Sequence, residues 1–195
     1  MTSRTRPQMT IETRATLIAL ARTAFGAHGF AQVALDELTA AAGMTRGALY
    51  HHFESKLGLF AAVVDQIDDE LDRTVERAEQ AAGGGWPGFR AGVRAFLLAM
   101  TPPDVQRIML RDAPAMIPDF ANRARMQLCT AAIVERFEAL MRQGVLRSAD
   151  PAALASVVAG AATSAAAWAA LRSDPAALRD AGDALDRLLD GLEVR

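Results

Sequence analysis

Apolar residues recur at alternating spacings of three and four along almost the whole 195-residue chain, and the alternating β-branched runs that build half-buried strands are missing. A period near 3.6 residues can bury one face only as a helix, so the chain is predicted to be all-α. With 51% apolar and 23% charged residues, the composition excludes disordered, collagen-like and low-complexity classes. The length suits one medium domain or a small domain fused to a larger one. A single cysteine, Cys129, allows neither an internal disulfide nor a Cys-based zinc site, which points to a reducing compartment, the cytoplasm. Met1 to Met9 carry arginine but lack the apolar run of a secretory signal.

One stretch tests for a membrane. Pro151 to Leu171 holds no charge over 21 residues, long enough to span a bilayer. Eleven of the 21 are alanine, which adds little insertion energy, and the strongly apolar residues are only Leu154, Val157, Val158, Trp168 and Leu171. A buried, closely packed helix is the better expectation, with no membrane partner.

The helices are delimited by caps and breakers. A first helix is expected from Thr10, with Leu17, Ile18, Ala21, Ala24 and Phe25 inward and Gly29 as its left-handed stop. Leu35 to Ala42 forms a second, with Asp36 and Glu37 in the first turn where the helix dipole favours them. Thr45 caps a third that closes at Phe53, and Ser55 caps a fourth running toward Ala82. Gly83 to Gly85 reads as a loop before a helix over Pro87 to Met100. A short helix from Asp104 should end before Pro114, and Pro118 should open a long one to about Gln143 with Gly144 as its stop. Asp150-Pro151 and Asp174-Pro175 each pair a cap with a first-turn proline, so two long helices close the chain.

The stretch Leu35 to Lys56, LDELTAAAGMTRGALYHHFESK, is two short helices joined by a tight turn at Gly43. Such a turn crosses the second helix over the first and leaves its N-terminal end free to enter a major groove. Met44, Leu49 and Phe53 should face inward, and Arg46, Gly47, Ala48, Tyr50, His51 and His52 outward. Gly47 lowers helix propensity, which suits a close approach to another surface. Tyr50, the two histidines and Lys56, the chain's only lysine, can donate to phosphate oxygens. Residues 1 to 60 hold six basic against four acidic side chains, net +2, and the rest is net −4, so a mildly basic head sits on an acidic body.

These residues resemble the TetR family of bacterial transcription regulators, whose DNA-binding segment matches here at Ala42-Gly43, Gly47, Leu49-Tyr50, His52-Phe53 and Ser55-Lys56, and back through Phe25, Gly29 and Phe30. The resemblance covers the first third of the chain, and the later helices fit in their number and in the turn at Asp112 to Pro114. Val33 and Ala34 depart from the usual Thr and Ser, removing a cap and a phosphate contact, and Leu57-Gly58 replaces a Glu-rich start to the fourth helix. The resemblance implies a helix-turn-helix domain over residues 1–55 and a larger helical ligand-sensing and dimerisation domain over 56–195. It implies Thr45, Tyr50, His51 and Lys56 as backbone clamps and Arg46, Gly47 and Ala48 as base readers. The protein implied is a repressor that binds a palindromic operator in double-stranded DNA as a homodimer and is released by a small effector.

The second domain is rich in methionine and aromatic residues, enough to fill a core, yet also what an apolar ligand cavity needs. Phe96, Met100, Met109, Met116, Met126 and Trp168 are the candidates, with Gln127, Thr130 or Thr163 orienting a mainly apolar, uncharged molecule. Leu154, Val157, Ala161 and Ser164 form one seam at three-and-four spacing, and Leu178, Leu185, Leu188 and Leu192 another, which suits a four-helix dimer interface. Cys129 is expected to be a buried, inert thiol. Competing readings are a helical adaptor that binds protein and no DNA, and a helical-bundle metalloenzyme. The latter wants facing Glu and His at i, i+3 spacing, which is lacking, and the neighbouring histidines beside Glu54 point to different faces. No enzyme activity, cofactor or metal is expected.

Overall fold

The computed structural model describes residues 6–172 and 174–194, so Arg4 of the basic head and most of the Met1 to Met9 segment lie outside the described residues. The described chain is helical, and its one β-type pairing is an isolated antiparallel bridge between Leu146 and Glu193. It divides into two compact units.

The first unit comprises the described residues up to Asp69 together with Pro103–Pro118. It therefore extends past residue 55, because α4 begins inside it and a later segment returns to it. Helix α1 (Arg6–His28) starts a turn before the expected Thr10 cap, whose side chain lies outside the described residues. Its Leu17, Ile18, Ala21 and Phe25 are buried, and Gly29 ends it at φ 80°. α2 (Leu35–Ala41) and α3 (Arg46–Phe53) follow, then α4 (Lys56–Ala81). Phe25, Phe30 and Phe60 form a trio, the edge-on pairs at 5.0 Å and the stacked pair at 5.8 Å. Such pairs add directional packing to burial.

The returning segment corrects the expected short helix. It comprises α6 (Pro103–Val105), a π-helical turn over Gln106–Asp112, and α7 (Ala113–Met116). The backbone thus stays helical through Pro114, which falls in the first turn of α7, where a missing N–H costs nothing. The segment is tied to α1. Arg22 Nε donates to Asp104 Oδ2 at 3.2 Å, and Phe30 N donates to Asp112 Oδ2 at 2.7 Å. The approach needs glycine: a Cβ on Gly26 would sit 2.6 Å from Asp104 Cβ and 3.1 Å from its Cα.

The second unit comprises Glu70–Pro102 and the described residues from Asp119 on. α5 (Gly85–Ala99) begins within the expected glycine loop, and Gly88 lets it approach α4, since a Cβ there would meet the Glu79 carbonyl at 2.9 Å. Pro118 does not open the long helix. Asp119 takes φ 55°, a single 3-10 turn covers Phe120–Asn122, and α8 runs over Ala124–Arg142. α9 (Pro151–Ala170) and α10 (Pro175–Asp190) start as expected, with Asp150 accepting from Ala153 N at 2.7 Å and Asp174 from Ala176 N at 2.8 Å. Trp86, Phe89, Phe137, Leu140, Leu146 and Leu189 make the core. Arg90 and Arg94 lace α5 to α10 through Asp183, Asp186 and Asp190, with Glu193 also bonded to Arg90. The Asp190 hydrogen bond to Arg90 and the Asp186 hydrogen bond to Arg94 hold both guanidinium groups above their ordinary value against partial burial.

The alanine-rich helix is not the buried rod expected. α9 is long and apolar enough to cross a membrane by length and composition, yet it buries only one face, through Ala155, Val158, Ala162 and Ala166. Val157 stays 60% exposed and Leu171 85%.

Candidate nucleic-acid interface

The helix-turn-helix is fixed from below by two buried anchors of α3, Leu49 and Phe53, with Leu38 of α2 also buried in this unit. Gly43 turns the chain at φ 64°, and Met44 N returns to Thr39 O at 2.8 Å. Thr45 caps α3, its Oγ1 accepting from Ala48 N at 3.3 Å, which satisfies one of the amides a helix start leaves open. Its hydroxyl proton is left to donate outward.

With the anchors inward, α3 presents Arg46, Gly47, Tyr50 and His51 to solvent, and Ala48 and His52 at half exposure. Tyr50 is 45% exposed. His51 and His52 meet edge-on at 5.6 Å, and a Cβ on Gly47 would make only an ordinary contact, 3.8 Å to Thr45 Oγ1, so its surface is open. The two cations are docked. Arg46 forms an ion pair with Asp36 of α2. Lys56 Nζ donates to Ala31 O at 3.3 Å and lies 4.7 Å from the Phe30 ring centroid. Ser55 caps α4, accepting from Gly58 N at 2.9 Å, as the sequence predicts. Of the expected donors, Thr45 stands at the cap of α3 and Tyr50 and His51 on its exposed face, with Arg46, Gly47 and Ala48 in its first turn, while Lys56 opens α4. Sequence reasoning missed Asp36 as the partner of Arg46, and Arg14, whose guanidinium lies 5.2 Å from the Phe53 ring centroid. Asp36 was legible as an acidic first-turn residue, but its pairing depends on how α2 crosses α3.

The candidate ligand residues do not converge. Phe96 and Met126 line a cavity of about 170 Å³ in the second unit with Val75, Phe89, Cys129, Ile133, Val158 and Thr163. Met100 is buried at the end of α5 without lining it, Met109 is buried in the π turn of the first unit, and Met116 is exposed there. Gln127 is exposed on α8, and the Thr130 hydroxyl donates to Met126 O at 2.8 Å. Trp168 lies instead in an open groove of about 590 Å³ between α9 and α10. The physical reason is rotation: on α8 only the face of Met126, Cys129 and Ile133 turns toward the cavity. Cys129 is exposed, correcting the buried thiol expected.

The seams divide likewise. Leu154 and Leu192 pack on the chain's own core, Leu185 is 4% exposed, and Leu178 and Ala161 are half-buried. Val157, Ser164 and Leu188 are exposed, together with Trp168 and Leu171.

Two family descriptions match the chain, bacterial regulatory proteins of the tetR family over residues 17–63 and the tetracyclin repressor-like C-terminal domain over residues 86–192. The chain belongs to the TetR family of transcriptional regulators. A TetR-family transcriptional regulator from Pectobacterium atrosepticum, known from a crystal structure, is 45% identical, with 98% of this chain and 99% of that one covered at a TM-score of 0.83. The structure of SmeT in complex with triclosan is 25% identical, covers 94% of this chain and 92% of SmeT, and gives a TM-score of 0.69. The HTH-type transcriptional repressor BepR of Brucella suis biovar 1 is 42% identical over 53 residues, 27% of this chain and 25% of BepR. The chain spans about a third of the length of other curated relatives that it matches. For this TetR-family regulator the matched residues 17–63 contain the whole exposed face of α3.

Proposed function

We propose that this regulator is a repressor that binds a palindromic operator as a homodimer and lets go when a small, mainly apolar effector binds. The observation that carries the DNA half is the face of α3: a capped helix start, two buried anchors beneath, and Arg46, Gly47, Tyr50 and His51 outward above them. In this reading Arg46, Gly47 and Ala48 read base edges, while Thr45, Tyr50, His51, His52 and Lys56 hold phosphates, the division that protein–DNA contacts commonly follow. The net +2 of the first 60 residues is a small charge, so affinity rests on placed donors more than on long-range attraction.

The homodimer is supported by the unfilled outer faces of α9 and α10. Trp168 and Leu188 are exposed apolar residues that line a groove with the small side chains Ala161, Ser164 and Ala165, which allow close helix approach, and Val157 and Leu171 are exposed on α9 and just beyond its end. A two-fold axis through that groove would pair the helices into a four-helix bundle. The effector site is the cavity at Phe96 and Met126, with Thr163 as its hydroxyl and no lysine, arginine, histidine or carboxylate among its described lining residues. Its 170 Å³ is below the roughly 300–1,000 Å³ of drug-sized sites, so the effector is small or widens the cavity as it enters. Release follows if the effector prefers a state in which α4 holds the two recognition helices at a different spacing.

The test is a gel shift with the gene's own upstream region over a series of salt concentrations. Retarded complexes whose log affinity falls linearly with log salt are expected. Binding to a protein partner with no DNA retarded at any salt would mark an adaptor instead. Mass spectrometry of small molecules that co-purify with the protein then names effector candidates.

A further inference from the structure

The two cations of the α3 surface are docked in chemically different ways. Lys56 rests on a carbonyl oxygen and an aromatic ring, neutral partners that leave its charge uncancelled. Arg46 is paired with a carboxylate, Asp36, at the start of the neighbouring helix. Both members of the pair are 62% exposed, so the pair is screened by solvent and weak enough to open. Asp36 is held where it is by α2 itself: it lies in the first turn, where the helix dipole favours an anion, and its carbonyl accepts from Thr39 Oγ1 at 3.0 Å.

We infer that Asp36 is a specificity-determining residue that acts through Arg46, an internal competitor that base edges must displace. The inference rests on the DNA-binding function proposed above. On a duplex of the wrong sequence, Arg46 can gain at most one phosphate, and it must give up a carboxylate to do so; the exchange gains nothing, and the pair stays closed. On the right sequence a guanine offers O6 and N7 together, a bidentate acceptor matched to the planar guanidinium fork, and the exchange is favourable. The anion therefore lowers operator affinity by the full strength of the pair, which must open there, and lowers affinity for other DNA only by the phosphate contact forgone, which is smaller. Specificity is a difference of affinities, so a competitor that weakens the right complex more than the wrong one holds both affinity and discrimination below what Arg46 alone would give. Asp36 is a positioning residue in this scheme: it touches Arg46 and not the bases.

The test compares wild-type protein, Asp36→Asn, Arg46→Ala and the double variant on two probes: the duplex protected in a footprint of the gene's own upstream region, and a scrambled duplex of the same composition. Asn keeps the shape and removes the charge. Asp36→Asn is expected to raise operator affinity by about two- to five-fold per recognition helix, the range of an exposed ion pair, and to raise affinity for the scrambled duplex less, so that the ratio of the two rises. Its salt slope on the scrambled duplex should steepen by about 0.9 per recognition helix as the freed Arg46 neutralises a phosphate. In the Arg46→Ala background, Asp36→Asn should leave the ratio of the two affinities and the salt slope unchanged. An equal effect with and without Arg46 would mean that Asp36 acts only by its own repulsion of DNA, and would overturn the inference. So would an unchanged ratio in the Asp36→Asn single variant, while wild-type binding left the DNA-binding function intact. Wild-type protein that binds neither probe at any salt would overturn both.

Discussion

Lys56 donates to a backbone carbonyl 25 residues earlier in the chain, yet its charge is uncancelled and its partners are neutral, so moving it onto a phosphate exchanges one acceptor for a better one. Lys56→Ala should therefore flatten the plot of log affinity against log salt by about 0.9 per half-site. Tyr50→Phe removes a neutral hydrogen bond and should weaken binding to operator and scrambled DNA alike, with the slope unchanged; fluorescence anisotropy titrations at four salt concentrations check both. Gly26 carries a different kind of information. An alanine there would gain helix propensity, but its Cβ would fall inside the Asp104 side chain and close to its backbone. For Gly26→Val the clash outweighs any propensity gain, and a loss of about 1–3 kcal/mol in urea unfolding is expected. Neither the Lys56 dock nor the Gly26 contact was legible in the sequence, because each joins residues far apart in the chain. The Thr45 and Ser55 caps were legible, because a cap is settled within three residues.

Element boundaries divide along the same line. α9 and α10 begin where Asp-Pro pairs predict, whereas α8 begins at Ala124, past the proline at 118, because Asp119 adopts a left-handed backbone that no neighbour in sequence demands. The π turn over Gln106–Asp112 was invisible for a related reason: it forms where the returning segment lies along α1, and the sequence offers only a proline that ordinarily marks a helix end. On α9 the buried face is Ala155, Val158, Ala162 and Ala166, one residue on from the seam read from sequence at Leu154, Val157 and Ala161. Alanine on nearly every face gives a periodicity count little contrast to work with. The consequence for assembly is specific. Leu185 is committed to its own chain, so charging it would unfold the unit as well as split a dimer, and Val157 and Leu171 are the better probes. Val157→Glu with Leu171→Glu should keep the circular dichroism of the wild-type protein and sediment as a monomer with lowered operator affinity. A variant that still sediments as a dimer would move the interface elsewhere.

At the scale of the whole molecule, the all-helical class and the helix-turn-helix segment were legible from periodicity and spacing, while of the cavity only Phe96, Met126 and Thr163 were, since its walls come from α4, α5, α8 and α9. Methionine content alone put Met100 beside Met126, and the structure separates them. Substituting each tests the difference. Met126→Trp adds volume to a cavity and should abolish effector release while operator binding stays near wild type. Met100→Trp overfills a packed position and should lose about 1–3 kcal/mol of stability with the effector response retained in the folded fraction. The Arg90 and Arg94 pairs bear on alkali tolerance: with both guanidinium groups held above their ordinary value, the arginine side of this lattice stays charged through neutral pH and is lost only as the pH climbs past the raised values. Lys56 has one more consequence, which follows from there being no second lysine among the 195 residues. An amine-directed acylating reagent has a single side-chain target in this protein, and that target lies on the surface proposed to meet DNA. The regulator thus carries its own occupancy reporter: the extent of label at Lys56, read by peptide mass, should fall as operator is added and return when effector is.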